Sequence, residues 1–222
     1  MRITKIEVQR NNKTRCNVFV DNEFCFSLND STIIKEKLKE GQEISIPDID
    51  KYKSLCDNEK AYLYIIFYLQ YGDRTEKEVR LKLKEKGYSL SSSMFAINKA
   101  KELRLIDDTR LCDQYVYEKL NSSKPDGPQK IKSKLIARGL NIDIIEEAIT
   151  KYLNNESEQN KIYRLVEKKL PSIRAKNSYD LRGKLFRFLT QKGFNFDDIN
   201  SVLDDLFSNE DFSSNFQFKE RE

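Results

Sequence analysis

Three stretches of the chain carry apolar residues at helical spacing, and each ends in the same way, with Lys or Arg, then Gly, then an apolar residue. They are Glu85-Lys86-Gly87-Tyr88, Ala137-Arg138-Gly139-Leu140 and Gln191-Lys192-Gly193-Phe194. Four residues before each glycine stand Leu83, Leu135 and Leu189, and eight before stand Val79, Ile131 and Leu185, which draws an apolar stripe on one helix face. Three residues after it stand Leu90, Ile142 and Phe196, and ten after it Ile97, Ile149 and Leu203. The glycines are 52 and then 54 residues apart, room for three short helices in each copy. A glycine after Lys or Arg reads as a helix C-terminus, because it enters the left-handed region cheaply and the cation faces the negative end of the helix dipole.

Start signals agree with that frame. Thr75 and Glu78 have capping-box spacing, and Asp126-Gly127-Pro128 offers a cap followed by proline at the first helical position. Pro171 closes the helix through Lys168-Lys169-Leu170. Helices are predicted near 58–71, 75–86, 92–104, 109–121, 128–138, 142–153, 158–170, 179–192 and 196–207. The expected fold is mainly α: tandem three-helix repeats in an elongated array, at 57–108, 109–156 and 157–207, followed by an acidic tail at 208–222.

Residues 1–50 alternate differently and predict a small β-rich N-terminal domain of a hairpin and one short helix. Cys16-Val18-Val20 and Phe24-Phe26-Leu28 flank Asp21-Asn22, the pattern of a hairpin, with Ile3-Ile6-Val8 ahead of it. Asp30 is the expected N-cap of the short helix, stopped at Gly41. A two-residue turn at Asp21-Asn22 sets Cys16 opposite Ser27 and only diagonal to Cys25, too far for an unstrained disulfide.

Composition narrows the function. With 7 Gly and 4 Pro in 222 residues, a fold of many short strands is disfavoured. The absence of histidine removes Ser-His and Cys-His nucleophilic schemes and imidazole zinc sites. The four cysteines, Cys16, Cys25, Cys56 and Cys112, form no C-x-x-C pair and read as buried free thiols. The longest apolar run, Ala61 to Leu69, is far below the ~18 residues a membrane span needs, and no apolar leader opens the chain. A cytoplasmic protein with no membrane contact is expected.

The net charge of +4 is the remainder of unlike regions. Segments 74–104, 119–138 and 161–192 hold 9, 6 and 10 basic residues against 4, 1 and 2 acidic ones, whereas 193–222 holds 2 against 8. The basic residues fall into lines on the middle helix of each repeat: Arg74, Lys77, Arg80 and Lys84, then Lys130, Lys134 and Arg138, then Arg182, Lys184 and Arg187. A solvated face explains any one line; three lines of one sign favour a polyanionic or acidic protein partner. Tyr64, Tyr68 and Tyr71 could stack bases, but an almost wholly apolar helix around them makes packing the preferred reading. The pairs Asp107-Asp108, Asp197-Asp198 and Asp204-Asp205 raise metal-dependent phosphodiester cleavage, but neighbours on a helix diverge, and the first two pairs stand at helix starts where carboxylates cap. No phosphate-binding loop occurs. No catalytic residue, metal site or cofactor is expected, and the protein is not expected to be an enzyme.

The order of these features resembles the RecX family of bacterial recombinase regulators. The similarity is strongest in Leu69, Arg74-Thr75-Glu76-Lys77-Glu78-Val79 and Leu83-Lys84-Glu85-Lys86-Gly87. It continues through Leu103, Ile106-Asp107-Asp108, Leu111-Cys112, Tyr115-Val116, Gly127, Lys130-Ile131 and Leu135. It covers roughly 57–205, and the β-rich start resembles the extension of RecX proteins from low-GC Gram-positive bacteria. Lys134 departs from the pattern, standing where an acidic residue is common. The resemblance implies a protein that lies in the groove of the RecA–DNA filament and modulates, mostly inhibits, recombinase activity, strand exchange and ATP hydrolysis by limiting filament growth or promoting disassembly, within DNA repair, recombination and the SOS response. Nothing in the sequence pattern demands a dimer, and a monomer is expected. The basic residues above are the expected contacts to that filament, with ssDNA and dsDNA as further partners. The rival readings are a free-standing DNA-binding protein acting through phosphate contacts and, last, a metal-dependent nuclease.

Overall fold

A computed structural model of the chain describes residues 1–153 and 158–208. The fold is mainly helical with one small antiparallel sheet at the N-terminus, in two compact units, Met1–Asp107 and the chain from Asp108 onward.

The sheet has strand order β1 (Ile3–Val8), β2 (Arg15–Val20), β3 (Glu23–Asn29). Asp21 and Asn22 both have positive φ, 49° and 69°, which the short polar side chains tolerate in a two-residue turn. Val20 pairs with Glu23 and Phe19 with Phe24, but Val18 then pairs with Phe26, so Cys25 is an extra residue in β3. This bulge corrects the expected register: Cys16 faces Leu28, not Ser27. It also turns Phe24 outward while Phe26 and Leu28 enter the core. All four cysteines are free, and burial pushes the Cys112 thiol up to about 11, which leaves it inert. The short helix α1 (Asp30–Lys35) is flanked by Asn29 at the N-cap rather than Asp30, which lies in its first turn, and the helix ends well before Gly41.

The helix predicted near 58–71 is the 24-residue α2 (Ile46–Leu69). Its start is a capping box between Ser45 and Asp48, hidden in the sequence by Pro47, which is tolerated in a first turn. Ile49, Tyr52 and Cys56 pack into the core of the sheet, whereas Ala61 and Ile65 pack into the next core. At about 100° per residue these two sets lie on nearly opposite sides of one helix, which defeats a search for a single stripe. Arg15 ties the sheet to α2: it donates to the Ser27 carbonyl at 2.9 Å and lies 3.4 Å from Glu59, which also accepts from Thr32 Oγ1 at 2.5 Å.

The remaining helices are α3 (Glu76–Glu85), α4 (Leu90–Glu102), α5 (Asp108–Leu120), α6 (Pro128–Arg138), α7 (Ile142–Leu153), α8 (Glu158–Lys169), α9 (Ser178–Lys192) and α10 (Phe196–Ser208). Separate cores form within α2–α4, α5–α7 and α8–α10. The stripe residues Val79, Leu83, Ile131, Leu135, Leu185 and Leu189 are all buried, as are Ile97, Ile149 and Leu203. Leu90, Ile142 and Phe196, at the first position of each third helix, stay exposed instead. Gly87, Gly139 and Gly193 have φ of 79°, 91° and 84°. After each, the next amide reaches back to the leucine carbonyl, at 3.1, 3.1 and 3.3 Å, closing a Schellman turn three times over. Of the acidic tail expected at 208–222, Ser208 ends α10 and residues 209–222 lie outside the described residues.

Candidate partner interface on the second helices

The second helix of each three-helix unit carries the predicted cations, but their surroundings differ. In α3, Thr75 accepts from the Glu78 amide at 3.1 Å while Glu78 accepts from the Thr75 amide at 2.9 Å, so the capping box holds the helix start. Arg80 pairs with Glu76 at 2.5 Å, and Lys101 of α4 reaches the same carboxylate at 2.7 Å. The hydrogen bond from Lys101, with help from Arg80 and against partial burial, holds Glu76 below the usual carboxylate range. Arg74 folds back, its guanidinium 5.0 Å from the Tyr68 ring centre and donating to the Tyr71 carbonyl at 3.3 Å. Lys77 and Lys84 are exposed and make no ion pair among the described residues.

In α6 the line of cations bends inward. Asp126, expected to cap α6, is buried and makes no cap bond; the N-cap is Gly127. Its carboxylate instead accepts from Lys130 at 2.9 Å and Lys134 at 3.1 Å, and Lys192 from the end of α9 lies 3.5 Å away. Burial raises the Asp126 pKa, but the hydrogen bonds from Lys130 and Lys134 outweigh it, and the carboxyl lies below its ordinary value. Arg138 sits half-buried in the last turn of α6.

The same corner joins two helices end to end. The Gly127 amide donates to the Lys192 carbonyl at 2.7 Å, and the Gln129 amide to the Gly193 carbonyl at 3.0 Å. Unsatisfied amides at the start of α6 thus meet unsatisfied carbonyls at the end of α9, and the two dipoles align favourably. The approach requires glycine on both sides. A Cβ on Gly127 would lie 2.3 Å from the Gly193 oxygen, and one on Gly193 would lie 2.4 Å from both Lys130 Cβ and its amide nitrogen. Lys192 and Lys168 add bonds to the Lys124 and Ser123 carbonyls at 3.4 and 3.0 Å.

In α9, Arg182 pairs with Asp204 at 2.8 Å and Lys184 with Asp180 at 2.7 Å, while Arg187 Nε donates to the Gly183 carbonyl at 3.2 Å. Lys192 and Asp126 were not among the predicted site residues. The available signal was Asp126 as the only acid in a segment of six cations, 119–138.

Among the described residues no three Cys, Asp or Glu side chains converge as metal ligands, and no helix is long and apolar enough to cross a membrane. Asp108 lies in the first turn of α5, and Asp197 and Asp198 in that of α10. Asp204 is held by Arg182, and Asp205 accepts from the Tyr163 hydroxyl.

Comparison with known proteins extends over nearly the whole chain. The family described as "Regulatory protein RecX N-terminal domain" matches residues 1–45; the first and third RecX three-helix domains match 61–93 and 156–203. "Regulatory protein RecX" of Clostridium perfringens strain SM101 is 35% identical, covering 94% of this chain and 98% of its own. That of Clostridium botulinum strain Eklund 17B is 35% identical over 91% and 94%. A crystal structure of regulatory protein RecX superposes with a TM-score of 0.76 at 27% identity, covering 91% of this chain and 98% of that one. The RecX structure from Lactobacillus salivarius gives 0.59 at 29% identity, covering 69% and 98%.

Proposed function

The chain belongs to the RecX family of regulatory proteins, and from that premise we propose that it binds the RecA–DNA filament and limits filament growth or promotes disassembly, without chemistry of its own. The observation that supports this reading is the recurrence of cations on the second helix of three like-built units, which suits a partner that is itself repetitive and acidic. The units 57–108, 109–156 and 157–207 act as successive contact modules of a cytoplasmic monomer. Lys77 and Lys84 carry the first module's attraction, since neither is tied to a carboxylate. Lys130 and Lys134, already paired with Asp126, offer a partner less unneutralised charge.

The test is binding to pre-formed recombinase–ssDNA filaments, and to naked ssDNA and dsDNA, across a salt series with recombinase-dependent ATP hydrolysis followed in parallel. Tight filament binding with falling hydrolysis, undiminished by excess DNA, is the expected result. Equal binding to naked DNA with no effect on assembled filaments would replace it with phosphate binding alone.

A further inference from the structure

One position of the repeated pattern is apolar in all three units yet serves no core. The helices α4, α7 and α10 start alike: the carbonyls of Ser89, Asn141 and Asn195 accept the first intrahelical bonds, from the Ser93, Ile145 and Ile199 amides at 2.9, 3.2 and 3.0 Å. The side chains of the same three residues accept from the Ser92, Asp143 and Asp197 amides at 3.1, 2.9 and 3.4 Å. Each is therefore an N-cap, and the residue after it is the first of its helix. That residue is Leu90, Ile142 or Phe196, and it is 70%, 45% or 57% exposed.

Helix formation does not ask for an apolar side chain there. A first turn favours proline or carboxylates, which suit its free amides, and isoleucine and phenylalanine are only moderate helix formers. A single exposed apolar residue is ordinary. Recurrence at one position in three units is not. The other exposed apolar residues within α4, Met94 and Phe95, correspond to Glu146 and Glu147 in α7 and to Asn200 and Ser201 in α10. Each first residue also stands four places beyond the cation that precedes the glycine turn, Lys86, Arg138 or Lys192. The apolar position thus follows directly on the basic second helix.

Resting on the filament reading above, we propose that Leu90, Ile142 and Phe196 are apolar anchors that seat in sockets on the recombinase subunits of the filament and not on its DNA. The side chains decide between those two components. Leu90 and Ile142 carry neither a flat ring to stack on a base nor a charge to meet a phosphate, so an apolar socket in a protein surface is what they fit. Phe196 lies parallel to Phe186, with ring planes within 7° and centres 5.8 Å apart, which holds it as a rigid anchor. One anchor in each unit matches a partner whose sockets also repeat, one to a subunit.

The experiment uses the full chain and pre-formed recombinase–ssDNA filaments, with association and dissociation followed across a salt series and naked ssDNA measured in parallel. Leu90→Ser with Ile142→Ser is expected to weaken filament binding about tenfold through faster dissociation, leaving the slope of log affinity against log salt unchanged. Serine forms helix about as readily as isoleucine, so the denaturant midpoint of this pair is expected to stay near the wild-type value. Leu90→Met with Ile142→Leu keeps the apolar volume and is expected to bind as the wild type does. Undiminished affinity in the serine pair, with wild-type filament binding intact, would overturn the anchors and leave the filament reading standing. A flattened salt slope in that pair, or an equal loss on naked ssDNA, would overturn them by assigning the residues to DNA. Wild-type self-association that the pair abolishes would overturn them by assigning the position to a second copy of the chain. Absence of filament binding by the wild-type chain would overturn the filament reading itself, and the anchors with it.

Discussion

The three-helix unit α2–α4 and the unit pair α5–α10 are built on one template, with the same stripe residues, the same glycine-ended second helix and the same turn after it. They use it differently. In the first unit the glycine, Gly87, has open space where a side chain would go, two cations remain unpaired, and aromatic residues line an uncovered face. In the pair, Gly193 is pressed against Lys130, and three lysines surround one buried carboxylate. A repeated sequence signature thus marks a conserved backbone turn but not a conserved environment. One copy leaves its surface to solvent and the others spend it on each other.

That contrast can be broken most directly at the glycines. Gly193→Ala forces a Cβ into Lys130 and is expected to cost about 3 kcal/mol or more, whereas Gly87→Ala, with nearly the same φ but no neighbour within 4 Å, should cost only the left-handed penalty of about 1 kcal/mol. Denaturant unfolding of the two variants checks this; equal losses would show that the end-to-end junction contributes nothing. Next in size is Asp126→Asn, expected to destabilise by about 2 kcal/mol as three ammonium groups lose their anion.

The sign of its pH dependence follows from the lowered pKa. The Asp126 contribution is complete above the ordinary carboxylate range and disappears as pH falls below about 4 through the lower folded value. The wild-type protein should therefore show a steeper acid limb of stability than Asp126→Asn, a difference readable by circular dichroism from pH 6 to pH 2. In the first unit, Thr75→Ala removes a buried capping box and should cost about 1 kcal/mol.

The smallest stability effect sharpens the functional side. Lys77→Glu with Lys84→Glu should leave stability within about 0.5 kcal/mol yet lower filament affinity and flatten its salt dependence. Lys130→Glu with Lys134→Glu should lower both affinity and stability, because each new carboxylate faces Asp126. If the α3 pair proves silent and the α6 pair does not, the attraction lies in the locked units rather than the open one.

The repeat, its glycine turns and eight of the nine three-helix-unit helices were legible because their apolar spacing is local and single-faced. What escaped had non-local causes. The start of α2 was hidden because its buried side changes from one core to another midway. The strand register slipped at Cys25 because a bulge has no marker when every candidate position is apolar or small. Asp126 has the spacing of a cap, but its carboxylate turns to Lys130 and Lys134 along α6 and to Lys192, which arrives from 66 residues away. The cation lines were visible as charge; the carboxylates that hold Arg80, Lys130 and Lys184 stand four residues away along the chain, whereas the one that holds Arg182 comes from α10 and has no local sign.

The two-sided burial of α2 has a mechanical consequence. A helix that engages one body with one flank and a second body with the other behaves as a keyed shaft: its length sets a phase angle as well as a distance. Inserting or deleting a single residue between Cys56 and Ala61 would turn one set of teeth by about 100° against the other and disengage both. Only near-integral turns preserve the fit, so the spacing between the strand-rich head and the first helical unit can change in steps of roughly 5.4 Å and not continuously.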